Sequence, residues 1–377
     1  MFYRVTVFYV SKLVVVISML FTLPALAKQA PTIVIDSNYK RLNISGVNKF
    51  NGVYDIAVEY GANGIGWMVY SRVRLPQYVE THLARSLDRG KTWHYVRALN
   101  KSHYQTIYAR GRQFNGVWRY ETPTLVYDPS DKPSRRWKYY VHRYYSLPPH
   151  KPNTSLFTEG WIEYSYAASP DGQWSRPQRL FGKPRSRSRI NISDLHPSLK
   201  NMKFFNEMGS ISHKGRLYLS FDASPTRSGL GQWRKRKVIL ISSGDHGHTW
   251  RYVGVLANFS DAKKFGYLTL TGSSLVKVKG RLYLFITPSG ARGLLKKNRG
   301  HDGTIIVPFK NIKKARLHRD LSGKLKAVKI LKPGKTNGGL SDYHEKNTAG
   351  GILFSQINVK SPPQVFTVYS TGVKIRR

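Results

Sequence analysis

Several of the few acidic residues in this chain stand where runs typical of β-strands begin. Only 20 of the 377 residues are Asp or Glu, so the positions of Asp55, Glu121 and Glu207 at three such starts are informative. When carboxyl groups are crowded together, one pKa rises and that group keeps a proton while its neighbour ionises. One protonated and one ionised carboxyl group can cleave a glycosidic bond. Each acid alone could equally cap a strand, but the three together favour catalysis, and we predict all three as catalytic residues.

A repeated turn motif marks the elements that must position these acids. Residues 86–93 and 243–250 share Asp, Gly, Thr and Trp at the same spacing, and residues 169–174 are a degenerate copy. In a hairpin, the aspartate can accept hydrogen bonds from turn N–H groups, the glycine supplies a positive φ, and the tryptophan packs against the neighbouring sheet. These residues are therefore predicted to be structural: Asp88, Gly90, Trp93, Asp171, Trp174, Asp245, Gly247 and Trp250.

A second repeat gives the order of strands in one unit. Residues 213–225 and 278–289 share Lys-Gly-Arg-Leu-Tyr-Leu, and each follows one predicted strand and precedes another. The unit is an inner strand, this strand, a third strand, the turn motif and an outer strand. Sliding it along the chain gives five units that open near residues 55, 121, 207, 271 and 342. We predict an all-β propeller of five four-stranded antiparallel blades, with residues 33–36 completing the last blade. Six blades remain an alternative, because irregular strands could lie between the second and third openings.

The turn motif resembles the Asp-box of the sialidase-like propellers. The blade count also resembles the five-bladed arabinanase and xylosidase clan of glycosidases, which places three acids at the starts of its first three inner strands. That resemblance implies a general base at Asp55, a pKa modulator at Glu121 and a general acid at Glu207. The middle position is normally Asp in that clan and is Glu here.

A sialidase also needs three arginines for the carboxylate of its sugar and an Arg-Ile-Pro signature in its first blade. The nearest match, residues 74–76, falls on a predicted middle strand. The sequence therefore disfavours sialidase activity and leaves an acidic sugar open as the ligand. We predict that further side chains reach the same face and bind substrate, although Trp118 could instead wedge two blades together. These residues are Asp342, His344, Arg72, Arg119, Arg143 and Trp118.

The first 27 residues have the pattern of an export signal. Arg4 and Lys12 precede the apolar run 13–23, and an Ala-x-Ala site ends at Ala27. The run is about half the ~20 residues that span a bilayer, so a cleaved signal peptide is favoured over a membrane anchor. We predict a signal peptide at 1–27, a single propeller domain at 28–377, no later transmembrane segment, and a periplasmic or secreted location.

Composition bounds the remaining questions. The chain has no cysteine and therefore no disulfides, and its formal net charge is +42. Dispersed basic residues predict adhesion to an anionic polymer or envelope surface, but no recognition helix or basic aromatic stripe predicts specific nucleic-acid binding. No metal or cofactor motif occurs, so none is predicted, and the protein is expected to be a monomer. The leading hypothesis is an exported glycoside hydrolase-like propeller acting on a polysaccharide or glycoconjugate; the alternative is a non-catalytic propeller that binds glycan or protein.

Overall fold

Short apolar runs that end at turns containing glycine or aspartate form the strands of this protein. The structure, a computed structural model, describes residues 32–47, 52–75, 78–147, 156–182, 187–225, 234–291, 300–331, 337–358 and 365–376. Within these ranges, 23 strands form five sheets that are arranged as the five blades of a β-propeller. The prediction of five blades is therefore confirmed. The predicted signal peptide at 1–27 lies outside the described residues.

The first two blades have five strands each. The chain enters through β1 (Thr32–Arg41), which belongs to the last blade. The strands of blade 1 are β2 (Ile44–Ser45), β3 (Gly52–Tyr60), β4 (Gly66–Arg74), β5 (Tyr78–Ser86) and β6 (Trp93–Asn100). The strands of blade 2 are β7 (His103–Ala109), β8 (Arg112–Tyr127), β9 (Trp137–Ser146), β10 (Leu156–Ala167) and β11 (Gln178–Gly182). The hairpin of β7 with the first half of β8 is an addition that the four-strand template did not include.

The other three blades follow the same order from the inner strand outward. The strands of blade 3 are β12 (Phe204–His213), β13 (Arg216–Ser224), β14 (Lys237–Ser243) and β15 (Arg251–Asn258). The strands of blade 4 are β16 (Tyr267–Val278), β17 (Arg281–Ala291), β18 (Thr304–Asn311), β19 (Arg316–Leu317) and β20 (Lys329–Leu331). The strands of blade 5 are β21 (Asn337–Asp342), β22 (Ile352–Asn358), β23 (Val365–Arg376) and β1. Pairing of β1 with β23 joins the two ends of the described chain and closes the ring.

Helical segments in the described part of the chain are short connectors. The α-helices are α1 (Ile192–Leu195) and α2 (Phe259–Lys264), and the 3₁₀ helices are Pro133–Arg135, Pro197–Leu199 and Ile312–Lys314. Asn258 begins α2 with a capping box, in which its side chain accepts from the Asp261 N–H and the Asp261 carboxylate accepts from the Asn258 N–H. Among the described residues, no helix has the length and apolar character to cross a membrane.

The apolar core lies between the blades rather than at one centre. Five hydrophobic clusters each join one blade to the next around the ring. Leu353 of blade 5 packs with Met68 and Tyr70 of blade 1, for example, so the closure of the ring is also a packed interface. Because each blade buries both of its faces against neighbours, the inner strands are held in fixed positions around the axis.

The two complete copies of the turn motif make the same hydrogen bonds. Oδ1 of Asp245 accepts from the Thr249 N–H at 2.8 Å and from the Ser243 hydroxyl at 2.7 Å, and Oδ2 accepts from the Thr249 hydroxyl at 2.6 Å. Asp88 makes the equivalent three bonds in blade 1. In the degenerate copy, the Asp171 carboxylate contacts the Ser169 hydroxyl. The aspartates thus hold the turns between third and fourth strands, while Trp93 and Trp250 are buried in the clusters between blades.

Candidate active site

Each of the five inner strands is interrupted by one residue with a left-handed backbone. These residues are Asp55, Thr122, Glu207, Gly272 and Leu340, with φ values between 49° and 55°. At each of them the register of the inner strand shifts against its neighbour in the blade. All five line one small cavity on the axis, with a volume of about 20 Å³, which is room for about one water molecule. Left-handed backbone outside glycine is uncommon and costs energy, so four such residues around one cavity point to a functional centre.

Asp55 is buried beside this cavity and is held by groups from two blades. Its Oδ2 accepts from the Ser71 hydroxyl at 2.8 Å and from the Thr122 N–H at 3.4 Å. Burial raises the pKa of Asp55 well above its usual value, and the nearby charges of Glu121 and Glu207 raise it further, against the lowering effect of Ser71. Both effects favour the protonated form of Asp55.

Glu121 lies directly before the left-handed position of blade 2, which Thr122 occupies. The Tyr144 hydroxyl donates to Glu121 Oε2 at 2.9 Å, and the Tyr144 ring stacks on His142 with centroids 5.2 Å apart. The Glu121 carboxylate is thus oriented by a buried phenol on the adjacent strand. Its charge is the leading electrostatic contribution to the raised pKa of Asp55, which shows that the two carboxyl groups interact.

Glu207 occupies the left-handed position of blade 3 and contacts blades 2 and 4. Its N–H donates to the Thr122 hydroxyl at 3.2 Å, and its carboxylate contacts the hydroxyl of Thr271. The three acids predicted to be catalytic therefore lie around or beside one cavity, on neighbouring inner strands.

Asp222 is a fourth acid at this centre that the sequence did not reveal. It lies on β13 and is 1% exposed, and its carboxylate contacts the same Thr271 hydroxyl that contacts Glu207. Burial and then the charge of Glu207 raise the pKa of Asp222 well above its usual value, while Arg236, with Nη1 3.7 Å from Oδ2, lowers it. The available signal was that Asp222 follows the repeated Leu-Tyr-Leu strand, two residues beyond Ser220.

Asp342 and His344 lie at a different cavity on the axis, of about 210 Å³. Oδ2 of Asp342 accepts from the Val58 N–H at 2.6 Å, so this carboxylate links blade 5 to blade 1. Burial raises the pKa of Asp342 to about 6. Nε2 of His344 lies 3.1 Å from Oε1 of Glu59. The structure therefore does not bring these two predicted substrate-binding residues to the cavity of Asp55.

Arg143 and Trp118 belong to an aromatic cluster at the interface of blades 1 and 2. The Arg143 guanidinium lies 4.4 Å from the Trp118 ring centroid and 4.9 Å from that of Trp161. Its Nη1 is 3.0 Å from Oε1 of Glu163. Trp118 packs among the apolar residues of that interface, as a wedging tryptophan would. Neither residue is among those that line the small axial cavity.

The other two predicted arginines are held in strands. Arg119 is 1% exposed on β8, opposite Tyr144 in the ladder. Arg72 is half-buried on β4, opposite Glu80, and burial lowers its pKa. Neither residue is among those that line the axial cavity.

One group of described residues has the ligands to hold a metal ion. Asp128, Asp131 and His246 place one ligand atom each within 4.8 Å of one another. The fully buried ammonium of Lys138 lies among them, 2.7 Å from Asp131 Oδ2 and 3.5 Å from Asp128 Oδ2. Because that ammonium already supplies the positive charge, the group acts as an ion-paired junction between blades 2 and 3.

Comparisons with known proteins agree on the fold. A protein of unknown function from Dyadobacter fermentans is 15% identical, with a TM-score of 0.54, over 92% of this chain and 100% of that one. The family 32 β-fructofuranosidase of Bombyx mori is 10% identical, with a TM-score of 0.52, over 92% of this chain and 62% of that one. A family 117 glycoside hydrolase of the marine bacterium Zobellia galactanivorans is 12% identical, with a TM-score of 0.50, over 90% of each chain.

These likenesses support a propeller fold that is shared with glycoside hydrolases, and identities this low show nothing further. No protein-family model matches the chain. No curated protein matches it either.

Proposed function

We propose that this protein is an exported glycoside hydrolase that acts on a polysaccharide or glycoconjugate. The observation that carries the proposal is the group of carboxyls at the axis. Asp55 and Glu207 occupy equivalent left-handed positions of blades 1 and 3 and line one cavity, and Glu121 stands next to the corresponding position of blade 2. Acid–base cleavage of a glycosidic bond needs two carboxyl groups in different protonation states, which coupled acids can supply.

The proton is assigned to Asp55 in the free protein. Burial and two negatively charged neighbours raise its pKa, and a carboxyl group that keeps its proton can donate it to a leaving group. The resemblance to the arabinanase and xylosidase clan implies the reverse, with Asp55 as base and Glu207 as acid. We therefore propose Asp55 as general acid and Glu207 as general base, and the leaving group of the substrate can distinguish the two assignments.

The test uses aryl glycosides of one sugar with leaving groups of different basicity. A panel of sugars, read out by released phenol, first identifies a substrate of the purified protein. We expect both Asp55→Asn and Glu207→Gln to abolish hydrolysis of a glycoside with a poor leaving group. A dinitrophenyl glycoside departs without protonation, so Asp55→Asn should hydrolyse it at a substantial rate whereas Glu207→Gln should not.

A matched variant at an exposed position controls for the chemical change itself. Asp194→Asn makes the same chemical change at an exposed position on α1 and should leave turnover unaltered. Normal turnover by both active-site variants would overturn the proposal. If Glu207→Gln, and not Asp55→Asn, hydrolyses the dinitrophenyl glycoside, the roles of general acid and general base are reversed. A wild-type protein that hydrolyses no member of the panel yet binds a glycan array would be a non-catalytic binding propeller.

A further inference from the structure

A basic groove lies across blades 3 and 4, at the hairpins where their inner strands end. It has a volume of about 640 Å³ and is bordered by the β12–β13 hairpin, the β16–β17 hairpin, the last residues of β18 and the segment that follows them. Five of its lining residues carry a positive charge and have exposed side chains: Lys214, Arg281, Lys310, Lys313 and Lys326. Glu207 lies near the other end of β12, so the groove is separate from the carboxyl centre.

The charged side chains in the described lining of the groove are all of one sign. Among the described residues that line it, none is Asp or Glu. Like charges that line one groove repel one another and raise the local electrostatic potential, which attracts anions from solution. A surface that concentrates cations in a concave site is therefore different from the dispersed positive charge of the whole chain.

Two histidines, His213 and His318, also line the groove. Burial lowers the pKa of His213, and the charges of Lys214, Lys277 and Lys313 lower it further. Burial likewise lowers the pKa of His318, together with the charges of Lys310, Lys326 and Arg281. All five basic side chains of the groove thus contribute to lowering the pKa of one or other of these histidines.

We infer that the groove binds an acidic polysaccharide, with its sulfate or carboxylate groups against the five basic side chains. Bases of single-stranded nucleic acid bind by stacking on exposed aromatic rings, and the only such ring of Phe, Tyr or Trp among the described lining residues is Phe309. Phe309 is half-buried and packs against the core between blades 3 and 4. The described lining of the groove therefore offers charge and a channel for a chain but no exposed ring of Phe, Tyr or Trp for bases to stack on. This inference does not rest on the proposed hydrolysis.

The experiment measures binding of fluorescently labelled heparin oligosaccharide, as a sulfated probe, to the purified protein. The groove variant carries Lys310→Gln, Lys313→Gln and Lys326→Gln. The control variant carries Lys91→Gln, Lys101→Gln and Lys200→Gln, which are exposed positions outside the groove. Both variants lose the same net charge. We expect the groove variant to lose about tenfold or more in affinity at physiological salt, and the control to lose less than about threefold.

A second measurement locates the bound probe. Binding of an anion in the groove should raise the pKa of His213 and of His318, which the NMR signals of their imidazole rings report. Equal loss of affinity in both variants, or unchanged histidine titrations, would overturn the inference. A single-stranded DNA oligonucleotide of matched charge that binds as tightly as the heparin probe would also overturn it, because the groove would then not prefer a polysaccharide.

Discussion

Glu207 and Asp222 meet at one hydroxyl group, that of Thr271 on the next blade. A hydroxyl has a single proton to donate, so it can serve only one of two carboxylates, and the other carboxyl must bring a proton of its own. Burial and the charge of Glu207 raise the pKa of Asp222, so Asp222 is the partner that supplies that proton. Burial and neighbouring carboxylates raise the pKa of both Asp55 and Asp222, so both side chains favour the protonated form next to Glu207.

The pKa of Asp55 should respond in opposite directions to two conservative changes. Glu121→Gln removes the leading neighbouring charge that raises the pKa, and so the pKa of Asp55 should fall. Ser71→Ala removes a hydrogen bond that lowers it, and so the pKa should rise. Carbon-13 NMR titration of the Asp55 carboxyl group measures both effects without any substrate. Shifts of the same sign in the two variants would contradict the proposed coupling.

The charge of Asp342 should destabilise the fold above neutral pH. Its pKa is about 6 in the folded protein against 3.8 ordinarily, so the folded state binds the proton more tightly than the unfolded state. The resulting penalty is absent below about pH 4 and complete above about pH 7, where it reaches about 3 kcal/mol. Asp342→Asn can still accept from the Val58 N–H, and should therefore be the more stable protein at pH 8.

Chemical denaturation at pH 4 and pH 8 checks this expectation. The free energy of unfolding of Asp342→Asn, relative to wild type, should increase between the two values by about 2.5 kcal/mol. Asp194→Asn, at an exposed site on α1, provides the matched control. A difference that stays constant with pH would show that Asp342 does not titrate as stated.

The turn aspartates should contribute to stability in proportion to their hydrogen bonds. Asp245 accepts three such bonds, from a backbone N–H and two hydroxyls, whereas the exposed Asp171 accepts from the Ser169 hydroxyl and lies 3.9 Å from Arg85. We expect Asp245→Ala to cost about 1–3 kcal/mol of unfolding free energy and Asp171→Ala about 1 kcal/mol or less. Urea unfolding compares them, and equal costs would argue against the structural role of the motif.

Much of the propeller could be predicted because the sequence contains repeats that specify its hairpins locally. The turn motif at 86–93 and the Leu-Tyr-Leu repeat each specify a hairpin through residues that are close in sequence. Copies of one repeated unit are expected to stack on one another and bury a shared core. Residues 33–36 were expected to close the ring, and β1 does so by pairing with β23. The β7–β8 hairpin was missed because it has no counterpart in the repeated unit.

The candidate site was harder to predict because it depends on register. Each inner strand shifts its register by one residue at its left-handed position, and that shift decides which side chain reaches the axis. Asp55 and Glu207 occupy the left-handed positions of blades 1 and 3. In blade 2 that position is held by Thr122, one residue after Glu121, and in blade 5 by Leu340, two residues before Asp342. Asp222 reaches the centre from a second strand, which counting along inner strands could not reveal.

Two glycines of the turn motif offer a test of how neighbouring blades are joined. Gly90 and Gly247 have φ values of 85° and 91°, and a left-handed backbone costs an alanine about 1–2 kcal/mol at either site. A Cβ at Gly247 would meet its nearest neighbour, Leu217, at 3.5 Å, which is ordinary contact. A Cβ at Gly90 would lie 1.7 Å from Oδ1 of Asn347, which also accepts from the Tyr60 hydroxyl at 2.8 Å. Because Asn347 is fully buried, we expect Gly90→Ala to cost at least about 2 kcal/mol more than Gly247→Ala in urea unfolding. Equal costs would mean that blade 5 does not pack on this turn through Asn347.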